Sequence, residues 1–432
     1  MLVSCMVYTR FVGLFLCLIT VLGIITSALA QSEVFSRIAF VTLDGRLATV
    51  QPDGSDLVLL SRGNSEVFRF PAWSPDGQKL AVVRDRNNRG AVVVFSFTGD
   101  GVEESVLYAS KAEPPFYLYW SPNSRIVSFL ANNAQSVLAL HLADVEDKVE
   151  RILAGGSPLY WQWAANSSQI LVHIGFAGFG AQLGFIDIAN DIVIANIDDP
   201  GFFQAPAISH SEKFVAYAIA SNEIGKKILV RPTNADSQDV QDFEHEGHVA
   251  LGWNPTKDVL AVMSPRDPYA TFSGPIGLID PQSESIEQIV DGKAIAFFWS
   301  PTGQHLAYLT RAGGQAGEFA SNSPRSFSKL RTDGSPTQVK QHRSLLLNLW
   351  VMSIETGSSE LLATFEPTPT FFQQFLPFFD QYSRSHRLWS PNGDALTFPA
   401  LGENGSPQIF VVTIDGTKDI IAAGDMPFWN QK

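Results

Sequence analysis

The hydrophobic positions of this chain recur at a regular spacing. Seven times a short apolar stretch ends in a turn motif similar to Trp-Ser-Pro-Asp-Gly and continues in a second run that alternates like a β-strand. Repeats of this length with several short strands are typical of propeller blades, so the pattern predicts an all-β fold, a β-propeller. The anchor positions lie 47, 43, 45, 45, 46 and 90 residues apart, at Trp73, Trp120, Trp163, Ile208, Trp253, Trp299 and Trp389.

The turn motif is suited to a hairpin. In the first copy, Pro75 presets φ for a turn, the Asp76 carboxylate can bond its own backbone, and Gly77 accepts a positive φ. The Trp before the turn is large enough to fill the space between packed sheets. We therefore expect most Trp and turn residues to belong to the scaffold and not to a binding site.

The two ends of the repeat region complement one another. Strand-like runs at 38–42, 47–51 and 57–60 match the second to fourth strands of a repeat, and the chain ends in a run around Trp429 that matches a first strand. Pairing them would close the ring through one split blade and remove an exposed edge. The prediction is eight four-stranded blades. The alternative is seven, if the copy around Ile208, which lacks Trp, Pro and Gly, is too degenerate.

These motifs resemble the WD-like repeats of TolB-type periplasmic β-propellers, which are also related to the propeller domains of prolyl-oligopeptidase-like peptidases. The resemblance covers nearly all of the chain after residue 36. It implies a single propeller domain over residues 37–432. For function it implies only that such propellers are mostly binding and docking surfaces, with a minority of enzymes.

The first thirty residues differ from the rest. Arg10 precedes 20 uncharged residues, 11–30, which end in a small-residue cleavage pattern before Gln31. We expect residues 1–30 to be a signal peptide, so that the protein is periplasmic or secreted. The alternative is an uncleaved membrane anchor, because the uncharged run is about long enough to span a bilayer.

Cysteine content and charge exclude several kinds of function. Cys5 and Cys17 both lie in the leader, so the mature chain would have no disulfide, no thiolate nucleophile and no Cys-ligated metal. The formal net charge of the chain is −13. Nucleic acid is therefore not expected as a partner, because phosphate binding requires a basic surface.

Two insertions interrupt the long interval before Trp389. The first, at about 311–344, is rich in Gly, Ser and basic residues, and reads as a solvated loop or as a docking segment for an acidic partner or an anionic lipid surface. The second, at about 366–387, carries five Phe at near-helical spacing. Its alternatives are a structural flap and a lid over the channel mouth, in which Phe375, Phe378 and Phe379 bury against the ring.

Ring geometry points to candidate ligand-binding residues. The innermost strand of each blade lines the channel, so residues three or four places before each anchor are neighbours around one rim. Aromatic rings, amides and an Arg there suit a protein, peptide or saccharide ligand, although aromatic packing of the channel is an alternative. The candidates are Arg69, Phe70, Tyr117, Tyr160 and Gln204, with Gln162 and His248 close to this rim and Tyr382 and His386 from the second insertion.

The inventory for catalysis is small. The chain has no Gly-x-Ser-x-Gly motif and no remaining length for a hydrolase domain. The metal-like segment 244–248 is interpreted as a solvated outer strand, and we predict no catalytic residue, metal or cofactor. We expect a monomeric binding or scaffolding module. The alternative is a propeller enzyme such as a metal-dependent polysaccharide lyase, for which His residues would have to meet at the channel mouth.

Overall fold

Strands make up most of the described chain in this computed structural model. The predicted leader at 1–30 and most of the predicted insertion at 311–344 lie outside the described residues. Within the described part, no helix has both the length and the apolar character needed to cross a membrane. The structure describes residues 36–432 apart from 62, 64, 100, 133–136, 176–180, 191, 202–203, 222–224, 234–238, 266–272, 284 and 314–344.

The strands follow one another along the chain as short antiparallel neighbours. In the first half they are β1 (Ile38–Thr42), β2 (Leu47–Val50), β3 (Val58–Leu59), β4 (Glu66–Trp73), β5 (Lys79–Arg86), β6 (Arg89–Thr98), β7 (Gly101–Ser110), β8 (Pro115–Trp120), β9 (Ile126–Asn132), β10 (Leu138–Asp144), β11 (Glu150–Gly156), β12 (Leu159–Trp163), β13 (Gln169–Ile174), β14 (Gln182–Asp187) and β15 (Ile192–Asp198).

In the second half they are β16 (Ala207–Ile208), β17 (Phe214–Ser221), β18 (Gly225–Pro232), β19 (Gln241–Glu244), β20 (Ala250–Trp253), β21 (Leu260–Met263), β22 (Gly274–Ile279), β23 (Glu287–Trp299), β24 (His305–Arg311), β25 (Leu347–Ser353), β26 (Ser359–Phe365), β27 (Ala395–Leu401), β28 (Pro407–Thr413) and β29 (Lys418–Trp429).

The pairing order is that of a propeller. Strands β4 to β7, β8 to β11, β12 to β15 and β16 to β19 form four separate four-stranded sheets. Two long strands, β23 and β29, each join two groups into a larger sheet, because each pairs with a different neighbour along each half. The all-β propeller fold is thus confirmed, while the number of blades stays a prediction with which this strand order is compatible.

The sheets stack around the ring because both of their faces are apolar. On β6, Val92 and Val94 pack into a core shared with β8 and β9, whereas Val93 and Phe95 pack into a core shared with β1 and β4. Successive side chains of a strand point to opposite faces, so the run of β-branched residues serves two neighbouring sheets at once. The core is therefore a series of layers between sheets.

The two ends of the chain close the ring as expected. The first half of β29 pairs with β28, and its second half pairs with β1, with Ile38 opposite Trp429 and Thr42 opposite Gly424. The Asn430 amide then donates to the Arg37 carbonyl at 2.8 Å. The predicted pairing of the N- and C-terminal strands is therefore confirmed.

The anchor Trp residues link neighbouring sheets. Each of five indole N–H groups donates to the carbonyl just before the anchor position of an adjacent inner strand. In the copy without Trp, the Ile208 amide instead donates to the Gln162 side-chain oxygen at 2.9 Å. The five pairs are Trp73 with Phe428 at 3.2 Å, Trp120 with Ala72 at 2.9 Å, Trp253 with Ala207 at 3.1 Å, Trp299 with Gly252 at 2.9 Å and Trp389 with Phe298 at 3.0 Å.

Candidate functional site

Residues 366–387 fill the centre of the ring, and we call this segment the plug. It contains a π-helical turn at Phe371–Phe375, a 3-10 turn at Leu376–Phe378 and the short helix α1 at Phe379–Tyr382. Its rings reach inner strands on several sides of the channel. The centroid distances are 5.7 Å from Phe375 to Phe428, 5.2 Å from Phe379 to Phe297 and 5.2 Å from Tyr382 to Phe70.

Polar contacts fix the plug across the channel. The Tyr117 hydroxyl donates to the Gln381 carbonyl at 2.8 Å, and the Gln381 side-chain amide donates to that hydroxyl at 2.8 Å and to the Trp161 carbonyl at 2.9 Å. Arg384 donates to the Trp161 carbonyl at 3.2 Å and to the Pro206 carbonyl at 2.7 Å. The plug therefore sits inside the ring. The expectations of a flap on one side or a lid over the mouth were wrong in this respect, because an apolar pattern does not show which surface it covers.

Irregularities of the inner strands aim ring residues at the plug. Phe70, Tyr117 and Met426 each lie three places before a Trp and have φ of 50°, 48° and 54°. The pairing register shifts beside Phe70 and Tyr117. Such bulges redirect a side chain. They bring Phe70 and Tyr117 to Tyr382, with the Tyr117 and Tyr382 centroids 4.8 Å apart.

His386 completes this aromatic cluster. Its Nε2 donates to the Phe70 carbonyl at 3.3 Å, and its Nδ1 accepts from the Ser385 hydroxyl at 2.6 Å. Burial lowers the pKa of His386 to about 3, so the ring is neutral at ordinary pH. Burial likewise raises the pKa of Tyr117 and of Tyr382. The cluster is a packed, uncharged contact between plug and ring.

The predicted site residues fall into four places. Phe70, Tyr117, Tyr382 and His386 meet in the buried cluster, where they face one another. Tyr160, Gln204 and His248 line a cavity of about 340 Å³ at the rim where the inner strands begin, which we call the start rim. Gln162 lines a cavity of about 400 Å³ at the opposite rim, where the inner strands end in the Trp turns, which we call the turn rim. Arg69 is exposed on β4 and lines neither cavity.

The nine candidate residues therefore do not line one common pocket: Tyr160 lies at the start rim, and Arg69 lines neither cavity. Phe375 and Phe379 are buried as expected, with 1% and 4% exposure. The same expectation was wrong for Phe378, which is 44% exposed because the 3-10 turn directs it out of the ring.

The start-rim cavity is mainly apolar with a few polar groups. Leu376 and Phe378 of the plug form one wall, and Met263 and Ile295 lie on the ring. The Asp380 carboxylate accepts from the Ala205 amide at 3.4 Å, and burial raises the pKa of Asp380 against the opposing effect of Arg384. This cavity would suit a ligand with a hydrophobic group and one or two polar groups close to it.

The turn-rim cavity contains two arginines that are not among the predicted site residues. Arg384 and Arg387 line it together with Tyr119 and Gln162. The available signal was their charge, since they and Asp380 are charged residues within a strongly aromatic segment. The sequence interpretation instead selected Tyr382 and His386 in this segment, because of their aromatic and imidazole side chains.

The His residues considered for a metal site lie in different places, and His173 and His386 bond backbone carbonyls. Among the described residues, no group of three or more His, Cys, Asp or Glu side chains is arranged to hold a metal ion.

Comparison with solved structures agrees with this architecture. Dihydro-heme d1 dehydrogenase NirN in complex with DHE is 14% identical, with a TM-score of 0.56, and the match covers 92% of this chain and 75% of that one. The chain has a β-propeller fold. The β-propeller domain of the Trilobed protease from Pyrococcus furiosus is 12% identical, with a TM-score of 0.47, and the match covers 83% of this chain and 98% of that one.

TolB is also among the similar structures. TolB from Acinetobacter baumannii is 12% identical, with a TM-score of 0.40, and the match covers 91% of this chain and 82% of that one. No protein-family model and no curated protein matches the chain. At these identities the likeness concerns the fold alone.

Proposed function

We propose that this chain is an exported, non-catalytic binding module that takes a peptide segment of a partner protein in the start-rim cavity. The observation that carries the proposal is a concave site of about 340 Å³ in which an exposed Phe378 faces Tyr160, Gln204 and His248 of the ring. Export is supported by the leader pattern of residues 1–30.

The size and lining of this cavity suit an apolar side chain of an extended peptide. Ligand pockets are commonly about 300–1,000 Å³, mostly apolar and furnished with a few orienting polar groups. Met263, Ile295 and Leu376 supply the apolar wall, while Gln204 and His248 supply the polar groups. Large exposed aromatic residues beside such a pocket are typical anchors of protein recognition.

The plug makes this site rigid. Phe378 lies two positions after Leu376 and directly before Phe379, and both of these residues are buried, so the backbone is anchored on both sides of the exposed ring. A site whose backbone is already ordered loses little conformational entropy on binding. The start rim therefore presents a preformed surface to a peptide.

Replacement of Phe378 by Ala tests the proposal. Peptides selected from a random library on the protein lacking residues 1–30 should bind the Phe378→Ala variant roughly 30-fold more weakly, the loss typical of an aromatic hot spot. The melting temperature should stay nearly unchanged because the ring is 44% exposed. Calorimetric titration and thermal melting measure the two effects.

Phe116→Ala is the matched control, since Phe116 is 36% exposed at the same rim and does not line the cavity. It should bind the selected peptides as tightly as the wild type. Unchanged binding by Phe378→Ala, an equal loss in Phe116→Ala, or selection of saccharides and no peptide from parallel libraries would contradict the proposal.

A further inference from the structure

The turn-rim cavity is separated from the start rim by the plug and has a different chemistry. Its volume is about 400 Å³, and the inner strands β8, β12, β16, β20 and β23 contribute to its lining. Two guanidinium groups from the end of the plug, those of Arg384 and Arg387, enter this lining. The cavity thus combines indole rings with positive charge.

The two arginines are in different situations. Arg384 uses two of its nitrogens to bond the Trp161 and Pro206 carbonyls, so it is held against the wall. The Arg387 carbonyl accepts from the Trp429 amide at 2.9 Å, whereas its guanidinium has no hydrogen-bond or ion-pair partner among the described residues. The ionisable neighbour that affects this guanidinium is the Tyr119 phenol. Burial lowers the pKa of Arg387. A cation in such a place is destabilising until an anion neutralises it.

The acids around the cavity do not neutralise Arg387. Glu212 accepts a hydrogen bond from the Ala165 amide, and Asp380 accepts one from the Ala205 amide. Within the described residues, neither acid forms an ion pair with Arg387. Both acids nevertheless line the cavity. They would repel a dianion such as phosphate more strongly than a monoanion.

The same cavity also has an apolar part. Trp253 and Trp299 line it and are partly exposed, whereas Trp163 and Trp389 are buried, with 3% and 2% exposure. The indole N–H groups of Trp253 and Trp299 are already bonded to backbone carbonyls. Their accessible parts are therefore apolar, and suit an aromatic or aliphatic body of a ligand.

We propose that the turn-rim cavity is a second binding site, which takes a monocarboxylate whose carboxylate pairs with Arg387 and whose apolar body lies against Trp253 and Trp299. A guanidinium presents its donors in a planar fork that matches a carboxylate. The carboxylate belongs either to a small molecule or to the free C-terminus of a peptide, and the two share this chemistry.

Titration of the protein lacking residues 1–30 with defined probes tests this site. Phenylacetate should bind at least about tenfold more tightly than its uncharged amide, phenylacetamide, because a hydrogen bond to a charged group is the stronger one. Inorganic phosphate should bind weakly or not at all. A tripeptide ending in Phe with a free C-terminus, compared with its amidated form, distinguishes the sources: tighter binding than phenylacetate assigns the site to a protein C-terminus, and weaker binding assigns it to a small molecule.

Arg387→Gln should abolish the preference for the carboxylate, with a loss of about 10- to 100-fold in phenylacetate affinity. Arg387→Lys keeps the charge without the fork and should retain part of the affinity. The control Arg89→Gln removes an exposed arginine of β6 and should change nothing. Equal affinity for phenylacetate and phenylacetamide, or unchanged phenylacetate binding in Arg387→Gln, would overturn the proposal.

The ligand-free melting temperature separates binding from folding. Arg387→Gln removes an uncompensated cation, so it should melt at the same temperature as the wild type or higher. If Arg387→Gln does not fold, Arg387→Lys tests whether the guanidinium of Arg387 pairs with the carboxylate. Wild-type affinity for phenylacetate in Arg387→Lys would contradict this pairing. Phe378→Ala should leave phenylacetate binding unchanged, so the two sites can fail independently.

Discussion

Deletion of residues 426–432 should lower the free energy of unfolding by roughly 5 kcal/mol or more and cause aggregation, an effect at the upper end for a local change. The second half of β29 supplies the pairing with β1, and its Phe428 and Trp429 are each 2% exposed. The deletion also removes the Phe428 carbonyl that accepts the Trp73 indole bond. Without these contacts β1 becomes an open edge, and the ring can separate there.

Urea denaturation and size-exclusion chromatography measure this effect. Deletion of Lys432 alone is the control, because that residue is exposed and lies beyond β29. It should have the wild-type denaturation midpoint. A 426–432 deletion that stays monomeric with an unchanged midpoint would show that the ring does not depend on closure by the terminal strands.

Phe375→Ala should destabilise the protein by about 3–5 kcal/mol, the cost of removing a fully buried aromatic side chain. Phe375 is 1% exposed, and its ring lies 5.4 Å from Tyr382, 5.7 Å from Phe428 and 6.1 Å from Phe298. The cavity left by Ala would lie between the plug and two inner strands. The strands of the propeller cannot move inward to fill it, because they are fixed by their neighbouring sheets.

Phe378→Ala is the matched control within the same segment, and should cost less than about 0.5 kcal/mol because Phe378 is exposed. Urea denaturation of the two variants gives the comparison. Equal free energies of unfolding for the two variants would mean that the Phe residues of the plug are in equivalent surroundings, and would rule out the described packing.

The repeat period and the strand patterns at both ends were sufficient to predict the fold and its closure. Both depend on local signals, namely turn chemistry and alternation, together with the absence of one strand at one end and its presence at the other. The position of the plug was not predictable in this way. Phe375 and Phe378 have the same side chain in one short segment, and only the three-dimensional path of the 3-10 turn makes one buried and the other exposed.

The candidate site was predicted in part. Counting back from the anchors correctly located Phe70 and Tyr117 on the inside of the ring, and bulges at these positions aim them at the plug. Counting back from the anchors gave no indication that residues of the plug would cover Phe70 and Tyr117. Arg387 was missed because a single arginine carries no spacing signal. Its significance depends on its guanidinium having no hydrogen-bond or ion-pair partner among the described residues.

The central claim is that residues 366–387 lie inside the ring, and a double-mutant cycle between Tyr117 and Gln381 tests it most directly. The Gln381 side chain donates to the Tyr117 hydroxyl at 2.8 Å, across 264 positions of sequence. Tyr117→Phe, Gln381→Ala and the double variant should show a coupling free energy of about 1 kcal/mol in urea denaturation, within the range for residues that share a hydrogen bond.

The control cycle pairs Tyr117→Phe with Gln408→Ala on β28, and should show no coupling beyond about 0.3 kcal/mol. A coupling near zero between Tyr117 and Gln381 would contradict the account, because it would place the plug away from the inner strands and leave the channel open between its two rims.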